Sequence, residues 1–90
     1  MKITMVKKVL ADGSPCRKCS QVMEKLEQSG HISRISKIID ANDTNPDGEG
    51  ALLASLHNVK TAPFFIVEET GKEPRVFTVY FKLVKDVLEA

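Results

Sequence analysis

The chain has 90 residues, 42% of them hydrophobic, and carries 13 lysines and arginines against 12 aspartates and glutamates. That length builds a single domain over residues 1–90 around one core, so any site lies at the surface of that core. The near-cancelled charge, without a basic tract or aromatic-basic interleaving, argues against a nucleic-acid partner, and no apolar run approaches the ~18 residues that cross a bilayer.

In chain order, the Ile-, Val- and Met-rich run Lys2 to Leu10 predicts a first strand. Asp12-Gly13-Ser14-Pro15 turns the chain, and Ser14 followed by Pro15 suits an N-cap and first-turn pair. Cys19, Val22, Met23 and Leu26 then recur at helical spacing until Gly30 stops the helix. Between Gly30 and a polar loop, His31 to Asp40 holds four isoleucines among Ser, Arg and Lys. This predicts a second strand and hence a parallel strand-helix-strand unit.

The loop Asp43-Thr44-Asn45-Pro46-Asp47-Gly48 reproduces the first six positions of a calcium-binding EF-hand loop. Its eighth position is Gly50 and its twelfth is Ala54 in place of a bidentate Glu, and turn chemistry accounts for the same residues. Leu52, Leu53, Leu56 and Val59 predict a second amphipathic helix ending near Asn58. Pro63 opens a strand through Val67, Glu68 to Pro74 connects a hairpin, and Arg75 to Tyr80 returns. A last helix is expected from Phe81, with Phe81, Val84, Val87 and Leu88 facing inward.

Chemistry concentrates in Ser14-Pro15-Cys16-Arg17-Lys18-Cys19, which holds both cysteines of the chain. Two cysteines three apart at a helix start lie one turn from each other, about 5 Å between Cα atoms, within disulfide reach. Cys16 in the first turn faces unsatisfied N–H groups and the positive end of the helix dipole, and Arg17 and Lys18 add cations that favour its thiolate. Cys16 is therefore the expected nucleophile and the more buried Cys19 the resolving thiol. Two other readings compete. A zinc site would draw on His31 and His57, but the pattern C-x2-C-x11-H-x25-H lacks the close histidine pair of a zinc finger. A structural disulfide suits secreted proteins, whereas the first eight residues lack the apolar core of a signal peptide and point to a cytoplasmic protein, where a thiol pair is more often catalytic. His31 and His57 read as solvent-facing or capping residues.

The order β-α-β-α-β-β-α, with Cys16-Arg17-Lys18-Cys19 opening the first helix and Asn58-Val59-Lys60-Thr61-Ala62-Pro63-Phe64-Phe65-Ile66-Val67 entering the third strand, resembles the thioredoxin-like superfamily in its minimal, glutaredoxin-like form. The resemblance spans the whole chain. It implies a four-stranded mixed sheet of order 2-1-3-4 flanked by three helices, with the first two strands parallel and the last two antiparallel. It also implies that Pro63 is cis and opposite Cys16, with Thr61, Ala62 and Pro63 forming the edge that meets substrate. The chain departs from glutaredoxins in its Arg-Lys pair between the cysteines, in Ser14 where a lysine is common, and in Phe77-Thr78-Val79-Tyr80, which has no glycine pair to hold glutathione. It departs from thioredoxins in having Leu10 where they bury an aspartate.

These features together predict a dithiol-disulfide oxidoreductase that reduces a protein or small-molecule disulfide, needs no metal or organic cofactor, and is recharged by a reductase or thiol electron donor. Glutathione is disfavoured as a partner. The alternatives are a non-catalytic interaction domain on the same fold, and a metal-binding domain that uses the two thiolates with a partner's ligands.

Overall fold

The computed structural model describes residues 1–14, 16–42 and 47–89. Strand β1, Lys2–Val9, lies between two neighbours, and its buried stretch Ile3 to Val6 is covered on both faces of the sheet. It pairs in parallel with β2, Lys37–Asn42, placing Met5 beside Ile38 and Val6 beside Ile39. On its other side it runs antiparallel to β3, Phe64–Glu68, with Met5 opposite Phe65, and β3 runs antiparallel to β4, Arg75–Phe77. The sheet order is therefore β2-β1-β3-β4, as expected from the sequence.

Alternation along the strands divides the core in two. Ile3, Met5, Phe65 and Val67 face helix α1, Arg17–Ser29, and helix α3, Tyr80–Leu83, which continues without a break as a π-helical turn over Val84–Leu88. Val22 and Leu26 of α1 and Leu83, Val87 and Leu88 of the last helix complete that layer. Val6, Phe64 and Ile66 face the other way, toward Leu53 and Ala54 of the short helix α2, Glu49–Leu56. A mixed four-stranded sheet with two helices on one face and one on the other results.

Four boundaries or faces differ from the sequence reading. Strand β2 begins at Lys37 and not at His31, because His31–Arg34 forms a 3-10 turn behind Gly30, whose φ of 79° ends α1. Ile32 and Ile35 are three apart and both pack under the first layer, a helical spacing inside what reads as a strand. Ser36 then fastens β2 to β1: its N–H donates to the Ile3 carbonyl at 2.7 Å and its Oγ accepts from the Ile3 N–H at 3.1 Å.

The inward face of α2 is also different. Leu52 and Leu56 are 56% and 76% exposed, whereas Gly50, Leu53 and Ala54 turn toward the sheet. The cause is the approach at Gly50, where a β-carbon would stand 2.8 Å from the Ala41 Cα; only a residue without one lets the helix settle on β2. The helix closes in a Schellman arrangement, with Asn58 at φ 56°, its N–H donating to Ser55 O and the Val59 N–H to Ala54 O. At the C-terminal end, β4 stops at Phe77 and the last helix starts at Tyr80. Tyr80 tucks its ring 6.1 Å from that of Phe65, and Phe81, expected inside, is 71% exposed.

Candidate functional site

The carboxyl end of β1 and the amino end of α1 meet at Lys8. Between them the chain makes a tight loop: Gly13, at φ 86°, donates to Leu10 O, and Leu10 donates to Ser14 O. Ser14 was expected to cap α1, but its N–H and Oγ instead donate to Asp12 Oδ1, at 2.9 and 2.6 Å. These two bonds, the hydroxyl's first, hold the Asp12 carboxyl below its usual range. Pro15, its expected first-turn partner, lies outside the described residues. With Ser14 engaged in the loop, the capping position falls to Cys16, whose backbone is extended and whose N–H donates to the Lys8 carbonyl at 3.0 Å.

That placement sets the chemistry of the two sulfurs, both of which are free thiols. Burial opposes ionisation of Cys16, but it is outweighed by the Cys19 N–H, the Cys19 thiol, the Lys18 N–H and the charge of Lys8, so the Cys16 thiol titrates below its ordinary value. The two N–H groups are those of the second and third helical residues, aimed at the capping position but at electrostatic range, since no closed side-chain cap bond forms. Cys19 is shifted in the opposite direction. It is 1% exposed, and its burial, together with the neighbouring Cys16 sulfur, pushes its thiol up, although the Lys8 N–H donates to its Sγ at 3.3 Å and the Lys7 charge acts in the same lowering sense. The half-buried Cys16 is thus the more acidic of the two thiols and the buried Cys19 the less acidic.

The third-strand approach arrives at the same end of the sheet. The Ala62–Pro63 peptide is cis and Pro63 is buried. Val6 pairs with Phe64 at the end of the ladder, so the chain just before Phe64 lies at the Lys8 end of β1. A cleft of about 330 Å³ runs there, lined by Lys8, Ala41, Ser55, Thr61, Ala62 and Phe64. Lys8 therefore touches the dithiol through its backbone and lines the cleft that includes Thr61 and Ala62.

The cations named from sequence act differently from the expectation. Lys18 contributes to Cys16 through its backbone N–H, Arg17 is exposed and is not among the groups acting on the sulfur, and the side-chain charge that does act belongs to Lys8. Sequence reading passed over Lys8 because it falls inside a strand. The signal was available in its position: in a strand-helix unit the strand's carboxyl end lies beside the helix N-terminus.

The two histidines stand on other elements. His31 opens the 3-10 turn after α1, and His57 is the C-terminal cap residue of α2, both half-buried. Among the described residues, no group of three or more His, Cys, Asp or Glu side chains is placed to hold a metal ion. The first four positions of the calcium-loop resemblance, 43–46, lie outside the described residues, and its eighth and twelfth, Gly50 and Ala54, belong to α2. Among the described residues, no helix is long and apolar enough to cross a membrane. No protein-family model matches the chain, and no curated protein matches it.

Proposed function

We propose that the chain is a cytoplasmic dithiol-disulfide oxidoreductase on a minimal thioredoxin-like architecture, working through Cys16 and Cys19. The observation that carries this reading is the opposite displacement of two adjacent thiols, Cys16 lowered at a helix start and Cys19 raised beneath it. Unequal acidity suits a two-step exchange: the sulfur with the lowered value supplies more thiolate for the attack, and the one with the raised value keeps its proton until the mixed disulfide forms.

In the first step the Cys16 thiolate attacks one sulfur of a substrate disulfide. A Cys16–substrate S–S bond forms, the substrate S–S bond breaks, and the departing thiolate takes a proton from solvent. In the second step Cys19 gives up its proton and attacks the Cys16 sulfur of the mixed disulfide. The Lys8 N–H at 3.3 Å and the Lys7 charge support the negative charge that this transiently places on the buried sulfur. The Cys16–Cys19 bond forms and the second substrate sulfur leaves. The substrate has gained two electrons and two protons, one from solvent and one released by Cys19; the protein has lost two electrons and that one proton, and a thiol donor or reductase restores the dithiol. The backbone near Thr61, Ala62 and Pro63 would receive the substrate chain beside the attacking sulfur.

The test uses 2-hydroxyethyl disulfide with dithiothreitol as the recharging thiol. The wild-type protein should turn it over, Cys16→Ser should not, and Cys19→Ser should accumulate a mixed disulfide visible by intact mass. Turnover no faster than dithiothreitol alone, or adduct formation on Cys19 with Cys16 absent, overturns the proposal.

A further inference from the structure

A groove of about 520 Å³ runs along α1 between that helix and the last one, beginning at Lys18, two residues beyond Cys16. Its apolar wall is Val22, Val84 and two side chains that the fold leaves in water, Val79 at 50% and Phe81 at 71% exposure. Lys18 and Lys25 stand on its α1 side, against one carboxylate, Glu89. Among the described residues neither lysine has a carboxylate within ion-pair distance, although Lys7, Lys37, Lys72 and Arg75 each do. Isolated exposed apolar residues need no explanation, but here an aromatic and a valine stand together at the mouth of a concave, cationic channel.

We infer that this groove docks an acidic, amphipathic segment of the protein whose disulfide is reduced, a proposal that rests on the oxidoreductase reading above. Both chemistries in the groove ask for the same partner: Phe81 and Val79 offer apolar anchorage, and Lys18 and Lys25 offer attraction to carboxylates while repelling basic chains. The length fits as well. From Lys18 to Ser29, both lining the groove, α1 rises about 16 Å, room for about five residues of extended chain. The Lys18 end of the groove lies at the start of α1, two residues from Cys16, so a docked segment would arrive at the dithiol end of that helix. Recognition would thus be separate from chemistry: the dithiol treats any accessible disulfide alike, and the groove selects which proteins bring theirs.

The test separates docking from thiol exchange. Two synthetic hexapeptides, one alternating Glu with Leu and Phe and the other carrying Lys in place of each Glu, are titrated into isotope-labelled reduced protein; neither contains cysteine. The acidic peptide should shift the amides of Val22, Lys25, Phe81 and Val84 and bind at least about tenfold more tightly than the basic one, with the difference shrinking as salt is raised. Lys25→Glu should abolish the preference. Lys72→Glu, an equal change of net charge on the distant hairpin, should leave it intact. Phe81→Ser, at an exposed position, should weaken the acidic peptide. Equal affinity for the two peptides, shifts confined to Thr61 through Phe64, or equal loss in Lys25→Glu and Lys72→Glu overturns the docking site. Reduction of 2-hydroxyethyl disulfide by the wild-type protein is read separately. Its absence would remove the oxidoreductase reading whatever the peptides do, and its presence without peptide selectivity would remove only the groove.

Discussion

The backbone of Lys8 holds both cysteines: its carbonyl accepts from the Cys16 N–H at 3.0 Å, and its own N–H donates to the Cys19 sulfur at 3.3 Å. One peptide group on either side of a single strand residue therefore fixes the start of α1 and polarises the buried thiol, while the same residue's charge lowers Cys16.

Alkylation as a function of pH should report this arrangement. Cys16 should react with its midpoint below that of an ordinary thiol, and Cys19 should resist until well above it. Lys8→Gln keeps the backbone bonds and removes the charge, so the Cys16 midpoint should rise, and by more than in the double variant Arg17→Gln, Lys18→Gln. The rate profile of iodoacetamide modification, followed by mass, decides between them.

Stability should follow the same two shifts with opposite signs. The lowered Cys16 contributes stability that is present above the unfolded-state thiol value and lost as pH falls through its folded value. The raised Cys19 contributes stability that is present below the unfolded-state value and lost as pH rises through its own folded value. In reducing conditions Cys16→Ala should flatten the acid side of the thiol window and Cys19→Ala the alkaline side. Urea midpoints measured at intervals across that window supply the check.

Gly50→Ala tests why α2 sits where it does. Alanine is the better helix former by about 1 kcal/mol, yet its β-carbon would press on the Ala41 backbone at 2.8 Å, an atom that cannot rotate away. Overpacking of this kind costs about 1–3 kcal/mol, so the variant should be less stable despite its propensity. Ala41→Gly in the same chain should restore only part of the loss, because the Ala41 Cα and N remain in the way.

On the same helix, Leu52→Gln and Leu56→Gln should each change stability by less than about 0.5 kcal/mol, since both side chains are already in water. Leu53→Ala should cost about 1–2 kcal/mol, less than a fully buried leucine, because Leu53 is half-buried against Val6 and Ile66. Chemical denaturation of the three variants orders them directly.

Glutathione should bind poorly. By the resemblance, Phe77-Thr78-Val79-Tyr80 corresponds to the region where glutaredoxins carry a glycine pair, and it has no glycine; Val79 caps α3. Titration of the reduced protein should give no saturable shifts across Thr61 to Pro63 and Phe77 to Tyr80 at sub-millimolar glutathione.

The helix carrying both cysteines and the proline entering β3 were legible in the sequence, because each has a local signature, whereas the strand order 2-1-3-4 came only from the resemblance that those motifs carry. Apolar runs mark covered strands, Cys19, Val22 and Leu26 mark a helix face, and Pro63 stands before four apolar residues. What failed was decided by contacts distant in sequence. The spacing of Leu52 and Leu56 looks inward, but the fit of Gly50 against Ala41 rotates them outward. Ser14 has the chemistry of a cap, yet Asp12 competes for it and wins, leaving the position to Cys16. The side-chain charge that acts on Cys16 comes from Lys8, eight residues earlier, because the strand and helix ends converge in space.

The unequal covering of the sheet has a consequence for how the molecule breathes. On the face carrying the dithiol helix, α1, the final helix and the sheet share a cluster of nine buried apolar residues; the opposite face relies on α2, eight residues long, and its cluster has three. Local opening draws on the least apolar burial, so amides of Glu49 to Leu56 should exchange with heavy water well before those of Val22 to Leu26. The face that carries Cys16 and Cys19 is thus the one that opens last: α2 can lift and reseat while Lys8 keeps hold of both sulfurs.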